Sequence, residues 1–284
     1  MLKWDGTRDV VRGRRYIVQR ERALERLRFR CYGLGVEVAF DRPELAQKLI
    51  ACLPPHRGPH HAGRLDRCYR VITLPGRRFA LHVDDTCVAS GHSERGLREL
   101  LEGDLNLYVA EWARERIFVH AGVVAWEGRA LVLPGASFSG KSRLVAALIA
   151  QGAVYYSDEY AVLDPRGRVH PFRRRLTLRR EAGGPARRIA VEGPDPDAPL
   201  PIALVAFCRY RASARWRPRV LSPGEGTLAF LASTIPARSR PEAALSVLSR
   251  VAGKARLLKG TRGEAELAAR ALLASLEATG SRRA

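Results

Sequence analysis

Residues 135–142 are Gly135, Ala136, Ser137, Phe138, Ser139, Gly140, Lys141 and Ser142. Two glycines at this spacing, followed by Lys and Ser, suit phosphate binding. The glycines let the backbone turn so that several N–H groups converge on one anion. A helix that follows aims the positive end of its dipole at the same point. Lys141 then neutralises the outer phosphate oxygens, and Ser142 ligates Mg²⁺. An acidic residue is needed near that metal, at the end of a second strand. Asp158 and Glu159 stand 16 and 17 residues after Ser142. The structural alternative is a Gly-rich turn and an ordinary acidic pair.

The elements around the loop must position it. Residues 117–126 are a strand-like apolar run, and 130–133 are a second one that ends at Pro134. Residues 143–151 read as a helix with Leu144, Ala147 and Leu148 on one face, and Gly152 suits its C-terminus. Residues 153–156 are apolar and strand-like, and lead into the acidic pair. Later strands are expected near 189–191 and 202–210, and a last helix over about 263–278. The first part of the chain holds no chemical motif. Residues 17–28 carry mixed charges and read as a short helix or an extended arm. Residues 29–40 end in strand-like alternation. A helix starts near Asp41 with Pro43 just inside it and runs to about residue 53. Residues 56–66 read as a loop. Two strands, 69–74 and 78–83, flank a Pro75-Gly76 turn. Residues 94–116 read as a helix whose apolar side is Leu97, Leu100, Leu101, Leu105, Val109 and Trp112. The expected fold class is α/β, with a small N-terminal α/β module over 1–112 and a nucleotide-binding domain over 113–284.

The chain has 284 residues, and hydrophobic residues make up 46% of it, enough to build a core. No apolar run approaches the ~20 residues that span a bilayer, and the start lacks a secretion signal. The expectation is a cytoplasmic protein with no membrane role. The net charge of +20 suggests a polyanionic partner. Only five of the 49 basic residues are Lys, however, and such Arg-rich usage is what a GC-rich genome gives throughout. The arginines are spread along the chain, which argues against nucleic acid. They cluster at Arg173–Arg175, Arg179-Arg180 and Arg187-Arg188, where an acidic or phosphorylated ligand would fit. The five cysteines include no Cys-x-x-Cys pair. The Cys52–Cys68 stretch, with His56, His60 and His61, matches no common metal spacing.

His120-Ala121-Gly122, then Leu131-Val132-Leu133-Pro134-Gly135, the loop, the helix, Gly152 and Asp158-Glu159 resemble the catalytic domain of HPr kinase/phosphorylase. The run Tyr155 to Tyr160 resembles more closely the HPr-kinase-related proteins. The resemblance covers about residues 113–182 well and extends weakly to about 250. It implies a phosphate-loop domain related to phosphoenolpyruvate carboxykinase, with ATP and Mg²⁺ as cofactors. It implies transfer of the γ-phosphate to a hydroxyl, a serine by expectation, on a small protein or peptide. By position, His120 would stand beside the γ-phosphate. Lys141 would hold the phosphates, Ser142 and Asp158 the metal, and Glu159 would be the base. A hydroxyl is a poor nucleophile at neutral pH, so a carboxylate within reach assists its attack.

Three positions depart from the family pattern. Phe138 stands in place of a loop Gly and, if φ must be positive, strains the backbone by about 1 kcal/mol. Thr177 replaces a metal-binding Glu, with Glu181 nearby but out of register. Ser222-Pro223-Gly224-Glu225 resembles a Pro-Gly-Arg segment tied to the reverse phosphorolysis, with the charge reversed. The altered loop and metal ligand make a non-catalytic ATP-binding regulatory module the alternative reading. A true HPr kinase in carbon control is the third, and the missing Glu and Arg argue against it. The sequence leaves the oligomeric state open.

Overall fold

Charge and apolarity alternate along Glu25–Cys31, and that period of two makes a strand rather than the helix or arm expected over 17–28. Arg26 and Arg28 meet on one face of it. Arg26 Nη1 and Arg28 Nε donate at 2.6 and 2.7 Å to the two oxygens of the buried Glu37. The mixed charges that imitate a helix surface are half of a cross-strand ion network. This computed structural model describes residues 9–11, 14–16, 24–60, 63–135, 139–178, 187–191 and 198–280. Residues 17–23 of that expectation lie outside them.

The chain divides into two compact units, residues 1–109 and 110–284. The first holds a two-stranded pair, β1 (Asp9–Val11) and β2 (Arg14–Tyr16). It also holds β3 (Glu25–Cys31), β4 (Leu34–Phe40), β5 (Arg57–Pro59), β6 (Arg67–Leu74), β7 (Arg78–Val83) and β8 (Thr86–His92). These six form a mixed sheet in the order β5-β3-β4-β6-β7-β8, in which only β4 and β6 pair in parallel. The helix expected from Asp41 is a 3₁₀ turn at Pro43–Leu45 and a short α1, Ala46–Ile50. The loop expected over 56–66 contains β5, which borrows its pairing from β3.

Helix α2 (Glu94–Trp112) stops before the expected residue 116. Leu97, Leu101, Leu105 and Val109 are buried at its i, i+4 spacing, while Leu100 and Trp112 lie exposed. Tyr69 Oη donates to Asp104 at 2.7 Å and Tyr108 Oη to the Asp66 carbonyl at 2.9 Å, which ties α2 to the sheet.

The second unit contains β9 (Ile117–Trp126), β10 (Arg129–Pro134), β11 (Val154–Ser157), β12 (Tyr160–Leu163) and β13 (Arg168–His170). These are followed by β14 (Leu176–Leu178), β15 (Arg187–Ile189), β16 (Leu200–Tyr210), β17 (Arg219–Val220) and β18 (Arg256–Arg262). Its helices are α3 (Lys141–Ile149), α4 (Pro223–Leu231), α5 (Pro241–Ala252) and α6 (Ala265–Gly280). The main sheet runs β10-β9-β12-β13-β16-β18-β17 and is mixed; β11 pairs with β9, and β14 and β15 form a separate two-stranded pair. Because β10 also pairs in parallel with β16, the strands β10, β9, β12, β13 and β16 close a ring.

Both faces of this sheet are covered. Ile117, Val119, Ala121, Val123 and Ala125 alternate onto one face and pack with α4 and α5 residues such as Phe230, Leu248 and Val251. Val124, Leu131 and Leu133 face the other side, with Leu144, Leu148, Leu272 and Leu276 of α3 and α6. Strands covered on both faces read as continuous apolar runs, which is why 117–126 carries so few polar residues. The fold is mixed α/β. No helix among the described residues is long and apolar enough to cross a membrane.

Candidate functional site

Strand alternation puts His120 and Gly122 of β9 on the α3 face of the sheet. A Cβ on Gly122 would lie 2.6 Å from Val145 Cγ2, so the missing side chain lets α3 approach β9 closely. β10 delivers the chain beside them, and the Gly135 amide donates to the His120 carbonyl at 3.1 Å. Gly140 caps α3 at φ 82°, a left-handed value that suits glycine. Lys141 opens the helix and turns back, so that its Nζ donates to the Gly135 carbonyl at 2.6 Å. Ser139 Oγ is buried and has no hydrogen-bond partner among the described residues. Ala136, Ser137 and Phe138 lie outside the described residues.

The acidic pair sits in a bulge. β11 and β12 follow one another along the same edge of β9, and the register slips between Tyr155 and Ser157. Ser157 Oγ accepts the amides of Glu159 and Tyr160 at 3.1 and 3.0 Å, which folds the bulge on itself. The strand has ended, so the two carboxylates no longer point to opposite faces by simple alternation. Asp158 Oδ2 accepts from Ser142 Oγ at 3.1 Å and from the Thr177 amide at 3.2 Å. Its Oδ1 accepts from Tyr155 Oη at 2.7 Å. Glu159 Oε2 accepts from Arg174 Nη1 at 3.3 Å. Glu159 is 41% exposed, whereas Arg174 is 14% exposed, so the carboxylate is the accessible partner.

Electrostatics follow from this packing. Burial pulls the Lys141 ammonium down to about 8, although Asp158 and Glu159 oppose the shift. Burial, and then the Lys141 charge, pull His120 down to about 4. At neutral pH His120 is therefore uncharged and Lys141 is mostly charged. The arrangement offers the Lys141 ammonium and two carboxylates, one of them paired with Arg174, around the first turn of a helix, with a neutral imidazole beside them.

The structure thus brings Ser142 and Asp158 into contact, and sets the Lys141 charge close enough to His120 to oppose its protonation. It also reveals partners that sequence reasoning missed. Arg262, at the end of β18, is buried and donates to the Gly140 carbonyl at 2.9 Å and to the Gly263 carbonyl at 2.8 Å. Nothing marks this arginine in a chain so rich in them; only its burial does. Tyr155 and Arg174 hold the acidic pair, and neither role follows from spacing. Of the expected arginine clusters, Arg173 donates to the Val191 carbonyl at 2.8 Å and lies 6.0 Å from the Tyr155 ring centroid. Arg179, Arg180 and Glu181 lie outside the described residues. Thr177 meets Asp158 through its backbone amide.

Glu225 forms a capping box with Ser222 at the start of α4. Its bonds to Arg219 and Ser222 pull its carboxyl down to about 2. The chain matches no protein-family model and no curated protein.

Proposed function

We propose that the protein is an ATP-dependent kinase that moves the γ-phosphate to a serine hydroxyl of a small protein or peptide. On this reading the second unit is a phosphate-loop domain of the HPr-kinase kind. One observation carries it: the 3.1 Å hydrogen bond between Ser142 Oγ and Asp158 Oδ2, which joins the first turn of α3 to the acidic bulge. A coincidental Gly-rich turn gives no reason for that contact across 16 residues.

The residues fit the proposed ligand. Lys141 satisfies its charge on a loop carbonyl, which phosphate oxygens can replace. Ser139 Oγ is a buried polar atom without a partner among the described residues, and a phosphate oxygen would satisfy it. Mg²⁺ takes few protein ligands besides substrate phosphates, so Ser142 and Asp158 suffice to hold it. The ion, when bound, would neutralise charge on the transferring phosphoryl group.

The chain's own groups supply the rest. Lys141 and the amides of the loop hold the triphosphate. Neutral His120 orients the γ-phosphate without repelling the nearby cation. Glu159 takes the proton from the acceptor hydroxyl as its oxygen bonds to phosphorus and ADP leaves. Arg174 holds Glu159 in place. A second reading, a non-catalytic ATP-binding module, draws on Thr177, which offers Asp158 an amide where the resemblance expects a carboxylate.

Transfer of labelled γ-phosphate to candidate peptides tests the assignment of roles. Glu159→Gln keeps the shape and removes the charge, so transfer should fall by roughly 10²–10⁴-fold while ATP affinity is kept. Asp158→Asn should instead weaken ATP binding and its dependence on Mg²⁺. Full transfer by Glu159→Gln would remove Glu159 as the base and leave Asp158 as the candidate. ATP binding with no transfer to any acceptor would favour the non-catalytic module.

A further inference from the structure

β10, β16 and β18 are parallel, so Pro134, Tyr210 and Arg262 end on the same edge of the sheet. The Gly135–Ser142 loop leaves this same edge, directly after Pro134. The chain leaves it through residues 209–219, Arg-Tyr-Arg-Ala-Ser-Ala-Arg-Trp-Arg-Pro-Arg. Five of these eleven residues are arginine, and none is acidic. All five arginines are exposed. Arg219 pairs with Glu225 at 2.7 Å. Among the described residues no carboxylate pairs with Arg209, Arg211, Arg215 or Arg217.

The strip is firmly seated. The Arg211 amide donates to the Arg262 carbonyl at 2.9 Å, and the Ala214 amide to the Arg211 carbonyl at 3.1 Å. A Cβ on Gly263 would lie 2.3 Å from the Ala214 carbonyl oxygen. One on Gly260 would lie 3.0 Å from both the Trp216 ring and Pro218 Cα. These two glycines let the strip lie directly on β18. Trp216 packs against the α3 and α6 core, so Arg215, Arg217 and Arg219 alternate outward. The strip also begins at the phosphate loop: Tyr210 Cβ is 4.0 Å from where a Gly140 Cβ would stand.

Arginines interleaved with aromatics can bind single-stranded nucleic acid, but that mode needs exposed rings on which bases stack. Here Trp216 is half-buried against the core, which leaves Tyr210, 46% exposed and with the Arg262 guanidinium 5.3 Å from its ring centroid, as the single exposed ring among five arginines in this strip. What the strip offers is a row of planar forks, which match carboxylates two bonds at a time. We propose that residues 209–219 dock an acidic peptide segment rich in Asp and Glu. Resting on the kinase reading, we assign that segment to the phosphoryl acceptor, whose hydroxyl the docking concentrates at the loop.

The test is fluorescence anisotropy of a labelled Glu-rich peptide with the full chain, in low salt and without ATP. A strip variant carries Arg209→Gln, Arg211→Gln, Arg215→Gln and Arg217→Gln. A control carries Arg238→Gln, Arg250→Gln, Arg256→Gln and Arg270→Gln, which removes the same charge from exposed sites elsewhere in the unit. Thermal midpoints and ATP affinity establish that both variants are folded. The strip variant should lose on the order of tenfold or more in peptide affinity, and the control should lose little. Equal losses in the two variants, or none in the strip variant, would overturn the proposal. So would a single-stranded RNA of equal charge that binds more tightly than the peptide and depends on the strip. Peptide docking of the expected pattern, with no transfer to any peptide, would count against the kinase reading and leave the docking surface standing.

Discussion

Lys141 carries a linkage that can be read in solution. Its ammonium is held at about 8, below the ordinary 10.5, because burial strips its water. An anionic triphosphate beside it favours the charged form, so binding must raise that value again. Above pH 8 the free protein holds neutral Lys141 and the complex holds the charged form, so binding takes up a proton. Nucleotide affinity should therefore fall as pH rises through about 8. Calorimetry at about pH 9, in buffers of different ionisation heat, should report that uptake, and Lys141→Met should abolish it. An affinity that does not change across this range would mean that Lys141 does not face the phosphates. The neighbouring His120 stays neutral throughout, since its value lies near 4.

Between elements, the contact that sets the loop is the approach of α3 to β9. Gly122 permits it, because a Cβ there would reach to 2.6 Å from Val145 Cγ2. Gly122→Ala should destabilise the second unit by about 1–3 kcal/mol through overpacking. Adding Val145→Ala, which vacates the same space, should recover much of that loss in urea unfolding. No recovery would show that the strain lies elsewhere.

The strands and helix around this contact were the most legible part of the sequence. Residues 117–126 are a continuous apolar run covered on both faces, and Gly152 ends α3 at φ 98°. The bulge was not legible, because its register slip depends on Ser157 bonding two amides. Arg262 was not legible either, since its target is a backbone carbonyl far away in sequence. β3 was misread because its charges pair across strands with Glu37, and local spacing cannot reveal that. Among the described residues, strands as short as β13, β14 and β17 offer too few positions for a period to show.

At the scale of the whole molecule, the net charge of +20 is carried by arginines along the entire chain, and its meaning depends on where they gather. Arg174 serves the acidic bulge, Arg262 serves the loop, and the row from Arg209 to Arg217 is left facing solvent. Clusters in the linear sequence drew attention to 173–175 instead, where Arg173 and Arg174 are engaged within the unit. The parallel strands β10, β16 and β18 bring the loop, Arg262 and this row to one edge. All of these roles assume that the loop holds a nucleoside triphosphate. The most direct test is calorimetry of ATP with Mg²⁺ on the full chain and on Lys141→Ala. The account predicts binding by the parent and a loss of about tenfold or more in the variant, the equivalent of one charge-assisted contact. Equal affinity in the two proteins, or no binding by the parent, would contradict it.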